Sequence, residues 1–177
     1  LYAATHIGYV KDANEDRYYF KRFQDNTLLF AVADGLGGQA AGDYAAEILR
    51  GKLANLPLVP NGKEEEILAA LALETDSFII AAGEKDAQLE GMGTTLLCVF
   101  IRDNIASWVH VGDSRLSVYK KGTLKQLTQD QNLARYLVEE GELLPEQVAD
   151  HYSRNILDQA LGSILDKPET GSVVLEP

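Results

Sequence analysis

The chain has 177 residues, 46% of them hydrophobic and 24% charged, which are the proportions of one globular domain with a real core. Its formal net charge of −11 argues against nucleic acid or an acidic membrane surface as a partner, and no apolar run approaches the roughly 20 residues of a membrane span. The single cysteine, Cys98, excludes an internal disulfide framework and a cysteine-based zinc site, and fits a reducing, cytoplasmic compartment.

In chain order, residues 17–24 (RYYFKRFQ) and 28–33 (LLFAVA) read as a β-hairpin around Asp25, Asn26 and Thr27. After Gly38, Ala41, Ala45, Ile48, Leu49 and Leu53 recur at helical spacing. A second helix is predicted from Lys63 to about Ala82, with Ile67, Leu68, Leu71, Phe78 and Ile79 on one face and Glu64, Glu65 and Glu66 as a solvated first turn. From Thr94 the pattern becomes short strands joined by two-residue turns, TTLLCVFIR, IASWVHV, LSVYK and TLKQLT, which predicts an antiparallel meander. Helices follow over 131–140, stopped at Gly141, over 145–150, and over 156–164, and 172–175 is strand-like. Because the chain starts at Leu1 and stops at Pro177 just after that strand, both ends are expected to be cut. The class is α+β.

The stretch 28–38, LLFAVADGLGG, carries the chemistry. Residues 35–40 satisfy GxGxxA between a strand and a helix, a dinucleotide pattern. Yet the helix leads into PLVPNG and another helix instead of a second parallel strand, and Asp34 would push a carboxylate at the pyrophosphate. A carboxylate ending a buried strand, with glycines that admit close backbone approach, suits a hard cation with oxygen ligands. A plain Asp-Gly turn remains open on residue types alone. Glu15 and Asp16 before the first strand, and Asp113 after WVHVG, could converge with Asp34, and anions so clustered would need cations between them. A phosphate ligand would need them too, given the net charge.

In order, the chain shows NED at 14–16, ADGLGG at 33–38, GMGTT at 91–95, VGDSR at 111–115, LTQD at 127–130, and SRN and ALG within 153–162. This succession resembles the PP2C-type (PPM) metal-dependent protein phosphatases in their bacterial style, over nearly the whole chain. The resemblance implies a β-sandwich of two antiparallel sheets flanked by helical pairs, a single domain over 1–177, and a flap-like subdomain at about 129–152 beside the active site. It implies two Mn²⁺ or Mg²⁺ ions, with Asp34 bridging both, the Gly35 carbonyl on one, Glu15 and Asp16 serving the second, and Asp113 helping to hold a third. Two such cations, about 4 Å apart, make hydroxide available near neutral pH and neutralise the phosphate it attacks in line, with no covalent intermediate. The implied substrate is a phosphoserine or phosphothreonine protein, with a Ser/Thr kinase as its counterpart.

The chain departs from the family pattern in three places. Lys11 stands where an arginine grips the phosphate, which keeps the charge and loses the bidentate fork. Leu36 and Gln39 stand where many relatives carry a histidine able to protonate the leaving oxygen. The Thr/Ser-Asp-Gly and Asp-Asn motifs that complete the first metal site are absent, so the fold is expected to be C-terminally incomplete. Three functions follow for testing: a phosphatase, a pseudophosphatase that binds phosphoproteins with little or no turnover, and a nucleotide-binding α/β enzyme, which would require a parallel sheet. Cys98 and His110 are expected in the core.

Overall fold

Alternation with period two builds the first hairpin of the computed structural model, which describes residues 2–9, 12–37, 41–163 and 165–175. Strand β1 (Asp16–Arg22) pairs antiparallel with β2 (Leu28–Leu36), in a register that sets Arg22 opposite Leu28 and Asp16 opposite Asp34. The connecting turn is fixed by Asp25, whose carboxylate accepts from the Thr27 amide at 3.0 Å, and by Asn26 at φ 66°. Leu29, Ala31 and Ala33 are buried on one face, so Phe30, Val32 and Asp34 occupy the other. β2 runs past the predicted Ala33 because a two-residue strand β3 (Gly93–Thr94) pairs with Leu36 and Gly35.

Helices α1 (Ala41–Asn55) and α2 (Glu64–Gly83) cover the face of Leu29, Ala31 and Ala33. The helical spacing read from sequence supplies Ala45, Leu49 and Leu53 from α1 and Leu68, Leu71 and Ile79 from α2 to this core. Phe78 departs from it, being 51% exposed. Glu64 also departs from the expected solvated helix start: it is buried and pairs with the Arg102 guanidinium at 2.5 Å. The same Arg102 donates to the Val59 carbonyl at 2.6 Å and to Thr27 Oγ1 at 3.1 Å, tying the hairpin turn to the start of α2. A charge taken out of water requires such a full set of partners.

β4 (Leu96–Arg102) and β5 (Ile105–Val111) follow the predicted segments closely. Their two-residue turn, Asp103 and Asn104, has positive φ at both positions, as the right-handed strand twist demands. β6 (Ser117–Lys120) and β7 (Thr123–Gln126) form a separate two-stranded sheet around Lys121 and Gly122. The meander is therefore interrupted. The large sheet runs β1-β2-β4-β5 and closes with β8 (Glu169–Val174), which pairs with β5. His110 of β5 is fully buried, as expected of a core histidine, and its Nδ1 lies 3.0 Å from Glu169 of β8. Cys98 is buried in β4, which pushes its thiol pKa up and removes it as a nucleophile. Leu97, Val99, Ala106 and Trp108 form a second core on the far face, against Leu116 and Leu127 at the base of the β6–β7 hairpin. Two antiparallel sheets with flanking helices are the expected α+β class, and all pairings among the named strands are antiparallel, which eliminates the dinucleotide fold.

Within 129–152 the chain forms α3 (Leu133–Glu139) and a 3₁₀ segment, Pro145–Asp150, as read from sequence. The helix predicted over 156–164 does not form among its described residues. Leu161 exchanges both main-chain hydrogen bonds with Thr94, Leu157 bridges Asn132, and Gly162 sits at φ 88° with its amide on Asp76. Backbone groups spent on distant partners are lost to an i to i+4 ladder.

Candidate metal centre

The alternation of β1 and β2 puts Asp16 and Asp34 side by side, as Cα partners on the sheet face away from α1. Both are half-buried, and both line a cleft of about 250 Å³ with Thr5, Arg17, Tyr18 and Ser114. Larger clefts of about 460 and 510 Å³ lie at the start of α2 and between α1 and α2, and neither contains Asp16 or Asp34.

The main chain of Asp34 is held on both sides. Its amide donates to Thr95 Oγ1 at 2.9 Å, and its carbonyl accepts from the Thr95 amide at 2.9 Å and from Thr94 Oγ1 at 3.2 Å. The next amide, of Gly35, donates to the Glu15 carbonyl at 3.3 Å. A Cβ on Gly35 would lie 2.2 Å from the Gly42 carbonyl oxygen, and one on Gly42 would lie 2.7 Å from the Gly35 carbonyl carbon. The glycine needed here thus admits the first turn of α1 against the end of β2, by close approach and not by an unusual φ.

The predicted site residues are not all gathered. Asp16 and Asp34 share the cleft and Gly35 adjoins it. Glu15 is buried on the α1 side, where its Oε1 would lie 3.0 Å from a Cβ on Gly42. Asp113 is half-buried in the loop after β5, and burial, followed by the Asp130 carboxylate, raises its pKa above the ordinary carboxyl value. Lys11, Gly38 and Gln39 lie outside the described residues. Among the described residues, no three Asp, Glu, His or Cys side chains form a ready ligand cluster. The donors of the cleft nevertheless suit a hard divalent cation in kind, being carboxylates of residues paired across adjacent strands.

Other participants escaped the sequence reading. Arg17, a strand residue by pattern, lines the cleft; its guanidinium donates to the Asn14 and Asp16 carbonyls and pairs with Asp43 and Glu47. Thr95 and Ser114, quoted above only as letters of GMGTT and VGDSR, are joined by a 3.0 Å contact between hydroxyls. Arg115 and Asp130 form a two-bonded ion pair at 2.8 and 2.5 Å, and the guanidinium holds the Asp130 carboxyl below its ordinary pKa. Pairings across 15 or more residues leave no local signal in sequence.

The sequence matches the protein phosphatase 2C family model over residues 5–165. The chain belongs to the protein phosphatase 2C family. It is 37% identical over 160 residues to the serine/threonine protein phosphatase PstP of Mycobacterium tuberculosis, covering 90% of this chain and 30% of that protein. With the serine/threonine phosphatase stp of Listeria welshimeri it shares 34% over 163 residues, covering 89% of this chain and 65% of the relative. The chain thus spans less than two thirds of either protein. The solved PstP catalytic domain, in complex with two manganese ions, superposes with a TM-score of 0.79 at 34% identity, over 96% of this chain and 69% of that one. No helix among the described residues is long and apolar enough to cross a membrane.

Proposed function

We propose that this protein phosphatase 2C member hydrolyses phosphoserine and phosphothreonine in proteins with the help of Mn²⁺ or Mg²⁺. The observation that carries the reading is the pairing of Asp16 with Asp34 in one cleft at the end of β2, inside a family match that covers most of the chain. Asp34 is proposed as the central ligand, with the Gly35 carbonyl beside it, Asp16 toward a second ion that Glu15, on the α1 side, would serve through water, and Asp113 toward a third. Lys11 is proposed to contact the phosphate. Bound there, divalent cations would supply positive charge for the phosphoryl group and acidify water to serve as nucleophile.

The described residues contribute geometry. Thr94 and Thr95 hold the Asp34 main chain, which fixes the position from which its side chain enters the cleft. Arg17 holds the Asn14 and Asp16 carbonyls and thereby the approach to β1. Its charge is shared with Asp43 and Glu47.

The test is hydrolysis of an aryl phosphate and of a phosphothreonine peptide with Mn²⁺. Chelator-sensitive turnover is expected, and Asp34→Asn should lower it at least about a hundredfold while leaving the melting temperature nearly unchanged, since shape is kept and charge removed. Turnover insensitive to chelator, or an equally active Asp34→Asn protein, would refute the assignment. Phosphoprotein binding without chelator-sensitive turnover would make it a pseudophosphatase.

A further inference from the structure

A run of hydrogen bonds leads from the main chain of Asp34 back into the cleft. The Asp34 amide donates to Thr95 Oγ1 at 2.9 Å, and Thr95 Oγ1 lies 3.0 Å from Ser114 Oγ. Thr95 is fully buried, and its hydroxyl carries a single proton. Ser114 Oγ is the acceptor available to that proton among the described residues. Leaving it unmade would strand a buried donor, so Thr95 donates and Ser114 accepts. The proton of Ser114 itself therefore points away from Thr95, and Ser114 lines the cleft with Asp16 and Asp34.

The surroundings keep this order. Gly112, at φ 104°, lies so close that a Cβ there would be 2.6 Å from Thr95 Cγ2, which fixes the methyl and with it the hydroxyl. Gly112 is held in turn by Gln131, whose side-chain oxygen accepts from the Gly112 amide at 2.7 Å and whose main-chain N–H donates to the Gly112 carbonyl at 2.9 Å. Successive donation also polarises each hydroxyl, so the last is a better donor than an isolated serine.

We propose that Ser114 is a binding residue of the cleft, its hydroxyl donating to a nonbridging oxygen of the phosphoryl group held there. This rests on the phosphatase reading. A neutral, oriented donor suits an anion that must sit beside two carboxylates, and the guanidinium of Arg17, the arginine lining the cleft, is engaged by the Asn14 and Asp16 carbonyls, Asp43 and Glu47.

The test is calorimetric binding of inorganic phosphate to the protein at saturating Mn²⁺, with Mn²⁺ affinity and melting temperature measured alongside. Ser114→Ala should weaken phosphate about tenfold and lower the melting temperature, because the buried Thr95 hydroxyl loses its acceptor, while Mn²⁺ affinity stays unchanged. Ser114→Thr should restore the melting temperature and recover phosphate binding to within about threefold. Equal phosphate affinity in Ser114→Ala overturns the role of the serine alone. Phosphate and Mn²⁺ affinity falling together overturn it as well, because the serine would then act on the metal shell or the fold. Unsubstituted protein that shows no Mn²⁺-dependent phosphate binding overturns the phosphatase reading and this proposal with it.

Discussion

Asp113 shows how a single carboxylate is penalised by its place in the chain. The loop after β5 half-buries it, and Asp130 stands near enough to disfavour its ionisation further. A carboxyl whose folded pKa is raised binds its proton more tightly in the native state, so the ionised form destabilises at neutral pH and the penalty fades as pH falls through the raised pKa. In chelator, Asp113→Asn should therefore melt higher than the unsubstituted protein at pH 7, with the gain shrinking as pH approaches 4. A scan of melting temperature against pH measures this, and a gain that grows on acidification would show the sign to be wrong. Asp130 has the opposite sign. Arg115 lowers its pKa, so the stability it contributes is present at neutral pH and lost as pH falls through the depressed value. The acidic residues of the chain were legible as candidates because Asp34 closes a buried apolar run before a glycine turn and the others lie in the ordered motifs, but which would share a cleft was not. Glu15 and Asp16 are neighbours in sequence, and β pleating sends adjacent side chains to opposite faces.

At the scale of elements, local pattern was enough wherever an element's partner lay next to it. The β1–β2, β4–β5 and β6–β7 hairpins all stand at the predicted places, with turn residues that tolerate positive φ. Pattern failed over 156–164, where helical spacing was present and the helix was not. Here the main chain is taken by Thr94, Asn132 and Asp76, all remote in sequence. Gly162 shows the cost of that arrangement. A Cβ there would lie 2.2 Å from Ile79 Cγ2 and 2.8 Å from the Met92 carbonyl oxygen, at a φ that disfavours any side chain. Gly162→Ala should destabilise the protein by at least about 2 kcal/mol, read as a lower urea midpoint. A midpoint within error of the original would mean that the loop repacks freely.

These 177 residues carry a net charge of −11, which works against a phosphorylated substrate at long range. If the proposed activity holds, a lysine-rich phosphopeptide should show a lower KM than an acidic one at low ionic strength. The difference should shrink several-fold at roughly 0.5 M salt, where the screening length falls to a few ångströms. A preference that persists in salt would place it in contacts at the cleft instead of in the overall field.

By itself the sequence determined the α+β class, the two long helices, the hairpins, and the family, through motifs whose order survives because each belongs to a local turn or strand end. Tertiary structure alone decided that β8 takes the edge beside β5, that Glu64 is buried on Arg102, and that Asp34 reaches Ser114 through Thr95. The reason is physical. Periodicity records which face of an element is apolar, whereas hydrogen bonds and ion pairs between distant segments depend on where folding places their partners, and no local pattern encodes that distance.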